Sequence, residues 1–362
     1  MSRIPFRRLQ RYQIERRGST MMLGIPLPKT VGGKVNRDCP SEACEIRRFQ
    51  LGTVPEDRVV APDATPRIRR APNTPGTTCP YCGHDDEDQA FTTSDDRQAA
   101  IDYLKWAARE DVADALGAML DSAFRGSKFV QVKRSYRPPR PAPRTWREDL
   151  LRDLTCTTCR RSYGVYGFAL FCPDCGAANL TEHFAREKDL VEAQLAAVDS
   201  RSIGREVVFR AFGNALEDVV TALETALRGT YVHTVRHRYQ GPEREQRLSK
   251  QAIGNRFQSL RRGAEAFQAL GIDPYGCLTE PQRASLGLAL SKRHVVTHNQ
   301  GIVDAAFVSQ TGTGVVGRPV TLSANEVRAT VALCATVLAN LERTCPELLP
   351  PADRAAAAGG GP

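Results

Sequence analysis

The chain has 362 residues, of which 41% are hydrophobic and 25% are charged, and its net charge is +9 at pH 7. These proportions are typical of a globular protein, so most of the chain can form a packed core. No stretch approaches about 18 consecutive apolar residues, which excludes a transmembrane helix. The arginine-rich N-terminus lacks the apolar segment of a secretory signal, and we therefore expect a cytoplasmic protein. The basic surplus indicates nucleic acid or another polyanion as a partner, although a solvated surface explains it equally well.

The N-terminal part of the chain contains the first candidate metal site. Residues 1–34 are rich in arginine, and we expect them to form a basic, flexible tail. Residues 35–92 contain two cysteine pairs in the sequences CPSEAC and CPYCG, namely Cys39, Cys44, Cys79 and Cys82. Two such pairs can direct four thiolates at one tetrahedral ion, so this stretch is predicted to be a first zinc ribbon. His84 is an alternative ligand in place of one thiolate.

A single helix and a linker are predicted to follow. Apolar residues recur at spacings of three and four from Ile101 to Met119, and two acidic residues come directly after Ser94. This pattern predicts one amphipathic helix over 93–126, with Ser94 as its N-cap. The next stretch, 127–150, is rich in proline and arginine and predicts a stiff spacer. Contact between this linker and nucleic-acid phosphates is the alternative.

The second cysteine set is more regular than the first. Residues 151–180 contain two CxxC pairs separated by a short segment rich in aromatic and β-branched residues, which predicts a hairpin. The four cysteines are Cys156, Cys159, Cys172 and Cys175. Gly176 supplies the positive φ that a turn after the second pair requires. This spacing predicts a second zinc ribbon.

Both predicted sites are structural. Four thiolates complete the coordination shell of zinc and leave no position for water or substrate. We therefore expect two structural zinc ions, with iron in a rubredoxin-like site as the alternative metal. The remaining cysteines lack a partner at metal-binding spacing and are interpreted as core or incidental residues: Cys277, Cys334 and Cys345.

The C-terminal half, 181–349, has the periodicity of a helical bundle. Five helices are predicted, at about 182–199, 205–227 and 250–270 and then from the capping-box sequences TEPQ and SANE, which begin at Thr279 and Ser323. The segment FVSQTGTGVVGRPVTL between the last two helices predicts a short β-hairpin. Residues 350–362 are of low complexity and are expected to be disordered. The predicted fold class is thus multidomain, with small β zinc ribbons followed by an all-α helical bundle that contains a β-hairpin insert.

The sequence KRHVVTHNQ lies at the end of the fourth predicted helix. It places His294 and His298 four residues apart, on one face of a helix. Zinc is one use of such a pair, but Val295 stands where an H-E-x-x-H motif has its glutamate, and no third ligand is evident. Arg293 and His298 instead match the R-x4-H signature of HEPN domains, with the polar His294 directly after the arginine. The segments NRFQSLRRGAEAFQALGID and VTLSANEVRATVALCATVLANL also resemble this superfamily, over about 200–345.

The resemblance implies a metal-independent endoribonuclease, acting in stress or defence, with a HEPN-like bundle. In such an enzyme the 2′-OH of RNA attacks the adjacent phosphate. His298 would act as general base or acid, Arg293 would donate hydrogen bonds to phosphate oxygens, and His294 would contact the substrate or orient the pair. HEPN ribonucleases generally act as dimers, so the resemblance also implies a homodimer through the bundle. The zinc ribbons would help to bind or select RNA.

Several basic residues of the same module are candidates for attracting an RNA backbone. They are Arg236, Arg238, Arg256, Arg261 and Arg262. Each can equally be ordinary surface charge. His233 and His237 form another pair four residues apart, and we expect both to lie on the surface.

The alternative function is a non-catalytic adaptor. In that case the zinc ribbons and the helical bundle would bind nucleic acid or a protein partner, and no chemistry would take place at Arg293, His294 or His298. Cleavage that depends on His298 distinguishes the two hypotheses.

Overall fold

The computed structural model describes residues 7–18, 20–53, 75–123, 150–199 and 204–349, and this part of the chain is mainly helical with small antiparallel sheets. The predicted fold class is confirmed at this coarse level, including the two clusters of four cysteines. The predicted linker, apart from Leu150, and the predicted C-terminal tail lie outside the described residues. None of the helices in the described ranges combines the length and apolar character that a membrane span requires.

The N-terminal residues that the structure describes form regular elements, where the sequence analysis predicted a flexible tail. A helical turn, α1 (Arg7–Gln10), precedes an antiparallel hairpin of β1 (Gln13–Arg17) and β2 (Thr20–Leu23). Arg8 ties this segment to the long helix α2 (Ser94–Ala123), because its Nη1 lies 2.9 Å from Asp111 and 2.7 Å from Asp114. Local composition cannot predict an ion pair between residues about 100 positions apart in the sequence.

Helix α2 agrees with the predicted helix in extent except at its beginning, but the predicted amphipathic face is not observed, because Ile101 and Met119 are exposed while Asp111 is buried. Ser94 is the first residue within the helix, and the hydroxyl of Thr93 accepts a hydrogen bond from the amide of Asp96 at 3.1 Å. Thr93 is therefore the N-cap that the sequence analysis assigned to Ser94. The last three positions of the predicted helix, 124–126, lie outside the described residues.

One sheet joins the two cysteine-containing stretches, which the sequence analysis placed in separate ribbons. Its four antiparallel strands run in the order β3 (Val35–Asp38), β4 (Arg48–Leu51), β8 (Ser162–Val165) and β7 (Arg152–Thr155). The central register pairs Phe49 with Val165 and Leu51 with Tyr163, and all four side chains are buried. A two-residue ladder of β5 (Thr77–Thr78) and β6 (Asp85–Asp86) flanks the CPYC turn. Both cysteine sets therefore share one sheet and one small core.

Four long helices form the core of the C-terminal half: α3 (Leu180–Asp199), α4 (Arg205–Arg238), α8 (Glu280–His298) and α10 (Ala324–Thr344). The apolar face of α4 contributes Leu216, Val219, Leu223 and Leu227 to this core, at the spacing that the sequence predicted. Both predicted capping boxes are confirmed, at Thr279 with Gln282 and at Ser323 with Glu326.

The predicted third helix is broken into short pieces. The chain forms α5 (Gly241–Leu248), α6 (Lys250–Ile253), a 3₁₀ turn (Arg256–Gln258) and α7 (Leu260–Gln268). Helix α6 ends at Gly254, whose φ of 28° is incompatible with a continuing right-handed helix. The break leaves the start of α7 facing α8.

The predicted β-hairpin between the last two helices is wrong. Part of that segment forms the helix α9 (Ala305–Thr311), which begins at the N-cap Asp304 and ends at the left-handed Gly312. Phe307 packs with Val295, Val303 and Val320 in a small core. The glycines and threonines after Thr311 suggested strand and turn, but the cap at Asp304 and the burial of Phe307 favour a helix.

Candidate functional site

The two clusters of four cysteines have the geometry of tetrahedral metal sites. The Sγ atoms of Cys39 and Cys82 lie 3.8 Å apart and those of Cys44 and Cys79 lie 3.7 Å apart. In the second cluster the corresponding separations are 3.8 Å and 3.6 Å. Four sulfur atoms at about 2.3 Å from a central zinc ion stand about 3.8 Å from one another, so both sets fit zinc. They do not fit disulfides, whose sulfur atoms lie about 2 Å apart.

The backbone around each cluster explains why these turns present thiolates inward. The amide of Gly83 donates to the carbonyl of Cys79 at 3.0 Å, and the amide of Gly176 donates to the carbonyl of Cys172 at 3.0 Å. In the same way, the amide of Arg160 donates to the carbonyl of Cys156 at 2.7 Å. All three residues that follow a pair have positive φ, at 72°, 70° and 58° respectively. The CxxC pairs are thus three copies of one turn, and Cys39 and Cys44 complete the first cluster from a wider loop.

Within each cluster, burial raises the pKa of one thiol, and hydrogen bonds between thiols lower the pKa of another. Burial raises the pKa of Cys79 and of Cys172 well above the ordinary value. Hydrogen bonds from Cys39 to Cys82, and from Cys159 to Cys156, lower the pKa of the two recipients. A metal must therefore displace protons from buried thiols, and its binding is coupled to pH and to folding. His84 lies outside this set and faces Asp86, with 3.6 Å between Nε2 and Oδ2.

Helix α4 holds the first cluster against the helical half of the molecule. His233 is 2% exposed, so the prediction of a surface position is wrong for it. Its Nδ1 lies 3.2 Å from the carbonyl of Cys82, and its Nε2 lies 3.2 Å from the carbonyl of Glu347. A Cβ at Gly83 would stand 2.9 Å from the His233 ring, so glycine is required there for this close approach as well as for its φ. His237 is exposed, as expected, and its ring packs on that of His233.

Two of the predicted RNA-contacting arginines bind within the molecule. Arg236 donates from Nη2 to the carbonyl of Ala43 at 2.8 Å, in the loop between two metal ligands. Arg238 forms a two-point ion pair with Glu347, at 2.6 Å and 3.0 Å. Both guanidinium groups therefore have acceptors within the molecule.

The R-x4-H motif lies where α8 packs on α4. Arg293 is only 11% exposed, and its Nη2 donates to Oε1 of Glu217 at 2.7 Å. Its Nη1 lies 3.9 Å from Oε1 of Glu224, and Thr297 also donates to Glu217. Burial raises the pKa of Glu224 above its ordinary value. The arginine is thus held between two carboxylates of α4.

The two histidines of the motif are exposed at the end of α8. The rings of His294 and His298 lie 4.8 Å apart, as the spacing of four residues predicted. Helix α8 ends at His298 with Asn299 as its C-cap, and the left-handed Gln300 and Gly301 turn the chain away from it. Both imidazoles can therefore reach a ligand from outside.

A groove of about 990 Å³ opens beside this motif, between α8 and the start of α7. Arg293 and His294 line it from one side, and Arg261 and Arg262 line it from the other. Arg262 is exposed, while Arg261 pairs with Glu265 on the surface at 2.9 Å. Arg256 lies in the adjacent 3₁₀ turn, outside the lining. The structure thus brings together four of the predicted site residues, with His298 next to them through its contact with His294.

The sequence analysis missed the two carboxylates of this site. Glu217 and Glu224 are seven residues apart on α4, so they lie on one face of the helix, two turns from each other. In the sequence, the acidic residues that directly follow the apolar positions Leu216 and Leu223 could have indicated these two carboxylates. Their partner on α8, about 70 positions away, is set only by the packing of the helices. The chain matches no protein-family model, no curated protein and no solved structure.

Proposed function

We propose that this chain is a metal-independent endoribonuclease of the HEPN type, with two structural zinc sites that help to position RNA. The observation that supports it is the pair of exposed imidazoles, 4.8 Å apart, beside a groove lined by three arginines. General acid–base groups and fixed positive charge are what phosphodiester transesterification requires. The sequence resemblance in 200–345 supports the same assignment.

The chemistry follows from the position of each side chain. RNA lies along the groove with its phosphates near Arg261 and Arg262, which are exposed to solvent and available to the backbone. His298 removes the proton of the 2′-OH, and that oxygen attacks the neighbouring phosphorus. His294 delivers a proton to the departing 5′-oxygen, and the product carries a 2′,3′-cyclic phosphate. Arg293 supplies positive charge beneath the phosphorane, in an orientation held by Glu217.

We also propose that two copies of the bundle associate. In the HEPN arrangement two motifs face each other across a shared cleft, and the exposure of His294 and His298 at the end of α8 supports this proposal. Light scattering of the purified protein should give twice the mass of 39.8 kDa.

The experiment that tests catalysis is cleavage of labelled single-stranded RNA in EDTA, with the zinc content of the protein checked afterwards. The His298→Ala variant should lose at least about a hundredfold in rate. The matched control is His237→Ala, which removes another exposed histidine that packs on a histidine four residues earlier. Equal cleavage by the parent and by His298→Ala would refute the proposal.

A second candidate function is RNA binding without chemistry. It is favoured by one observation, the burial of Arg293 in its ion pair with Glu217, which is also a way to stabilise two packed helices. In that case RNA would remain intact, and binding would weaken steeply with salt. Changing Arg261 and Arg262 to glutamine would reduce affinity, and changing His298 would not.

A further inference from the structure

The groove beside α8 has two chemically different parts. Its rim carries the exposed Arg261 and Arg262, and its wall contains Glu224 next to Arg293. In the wall the carboxylate of Glu224 offsets the guanidinium of Arg293, whose other partner, Glu217, does not line the groove. A phosphate is therefore bound more strongly at the rim than beside Glu224, where a neutral group that donates hydrogen bonds is favoured instead.

Glu224 is incompletely satisfied within the described residues. Its side chain is 15% exposed, and Oε1 is buried without a hydrogen-bond partner there. The nearest cation, Nη1 of Arg293, is 3.9 Å away, beyond hydrogen-bond distance. The Nε of Arg293 is likewise buried and without a partner. A buried carboxylate in this condition is stabilised by any ligand that brings N–H donors to it.

The rest of the wall suits a flat, neutral group. Amide and hydroxyl side chains at Asn255, Gln258 and Ser291 line it, together with the aliphatic Leu260 and Leu288. Aliphatic side chains can cover the face of a ring, and amide groups can bind its edge. A nucleobase has both a face and an edge of this kind.

Among the four RNA bases, guanine matches a carboxylate best. Its N1–H and N2–H are adjacent donors that point the same way, and a carboxylate accepts both with its two oxygens. Adenine and cytosine present an amino group beside an acceptor, and uracil presents one N–H between two acceptors. A carboxylate beside either of those acceptors is repelled.

We propose that the groove seats a guanine base of the RNA, with the carboxylate of Glu224 accepting hydrogen bonds from N1–H and N2–H. The adjoining phosphate then lies at the rim, near Arg262 and His294. Glu224 is thus the residue that determines base specificity. This inference rests on the proposed function for its substrate class, but it concerns binding and can be tested without cleavage.

The test is calorimetric titration of the full, zinc-loaded chain with 5′-GMP, 5′-AMP, 5′-CMP and 5′-UMP. GMP should bind at least tenfold more tightly than the other three. Glu224→Gln should remove this preference, because the amide has only one oxygen acceptor. Glu217→Gln is the matched control, since it changes a carboxylate that also contacts Arg293 but does not line the groove. It should keep the preference.

A measurement on the parent protein tests the inference even if a variant fails to fold. Inosine 5′-monophosphate lacks only the N2 amino group, so it should bind at least about tenfold more weakly than GMP. Equal binding of GMP and inosine monophosphate, or equal binding of all four nucleotides, would overturn the inference. RNA cleavage without guanine preference would leave the proposed ribonuclease standing, and guanine preference without cleavage would leave the binding site standing.

Discussion

Single residues in left-handed conformations shape the metal clusters. The turn after each CxxC pair needs a positive φ, and two of the three turns use glycine, Gly83 and Gly176. The third uses Arg160, at a φ of 58°. A residue with a Cβ is disfavoured there by about 1 kcal/mol relative to glycine. The fold therefore tolerates a small local strain at Arg160 because the hydrogen bond from its amide to the carbonyl of Cys156 holds the turn.

The first prediction concerns this strain. Arg160→Gly should raise the free energy of unfolding by about 1 kcal/mol, because glycine adopts the left-handed conformation without steric conflict. Urea denaturation of the zinc-loaded protein measures this. Gly176→Ala, the opposite change at the equivalent turn of the same cluster, should lower the free energy by a similar amount. No difference between the two variants would show that the turn is not strained.

A buried histidine predicts how stability depends on pH. His183 is 1% exposed, and its Nδ1 accepts a hydrogen bond from the amide of Ala169 at 2.9 Å. Burial lowers its pKa below the ordinary value of 6.5. The unfolded chain therefore takes up a proton first, and the free energy of unfolding falls as the pH drops below about 6.5. Above that pH both states are neutral at this residue, and its contribution is complete.

The second prediction isolates that contribution. His183→Gln keeps an acceptor for the amide of Ala169 but cannot titrate, so its stability should fall less steeply than that of the parent between pH 7.5 and 5.5. Urea denaturation at several pH values measures both slopes. We expect zinc release at low pH to affect the two proteins equally, so the comparison of their slopes removes the effect of zinc release. Identical slopes would mean that another group accounts for the pH dependence.

At the scale of elements, the sheet β3-β4-β8-β7 couples the two metal clusters. Strand β4 follows the first pair of ligands, and strand β8 lies between the two pairs of the second cluster. Their side chains meet in one core around Phe49 and Tyr163. Because a sheet of this size has little stability without its metals, loss of one ion should weaken the other site.

The third prediction tests that coupling. Cys79→Ser should reduce the zinc content from two ions per chain to one or fewer, and the remaining ion should leave faster in the presence of a chelator. A colorimetric chelator assay gives both the stoichiometry and the rate. Cys277→Ser is the control, because Cys277 lies outside both clusters and should leave two ions in place. Unchanged release from the second site would show that the two clusters are independent.

Helix α8 carries both core residues and the candidate catalytic residues of the proposed function. Leu286, Leu290 and Val295 are buried on one side, while His294 and His298 are exposed on the other. Arg293 lies between these two sides and contacts α4. The helical period thus separates structural from chemical roles over two turns. The position of the candidate catalytic histidines follows from the side of the helix that the core leaves exposed.

At the scale of the whole molecule, the metal-binding sheet and the helices share contacts. Leu170 and Phe171, next to the ligand Cys172, belong to the core of the helical half. His233 and Arg236 of α4 bind backbone carbonyls of the first cluster. The two halves are therefore not expected to unfold independently.

The fourth prediction follows from these contacts. Removal of zinc should lower the midpoint of thermal unfolding of the helices by roughly 10 °C, because the residues around Cys172 leave the helical core when their turn opens. Circular dichroism at a helix-sensitive wavelength measures this, and added zinc should restore the original midpoint. An unchanged midpoint would show that the helices are stable without the metal-binding sheet.

Local patterns in the sequence determined much of this protein. The cysteine spacing predicted both ligand sets, because a CxxC turn depends only on neighbouring backbone. The capping boxes at Thr279 and Ser323 predicted the beginnings of α8 and α10 for the same reason. The spacing of four residues predicted the close approach of His294 and His298. The prediction of a β-hairpin from Phe307 onward was wrong. Glycine and threonine indicate turns and strands only where no helix N-cap and no buried aromatic side chain favour a helix instead.

Long-range packing decided the rest. The union of the two cysteine stretches in one sheet, the burial of His233 and the pairing of Arg293 with Glu217 each join positions far apart in the chain. No local pattern specifies which carboxylate an arginine meets, because that depends on how two helices cross. The sequence by itself determined the ligands and the motif; the tertiary structure decided that the motif faces a groove with a basic rim and with Glu224 beside Arg293 in its wall.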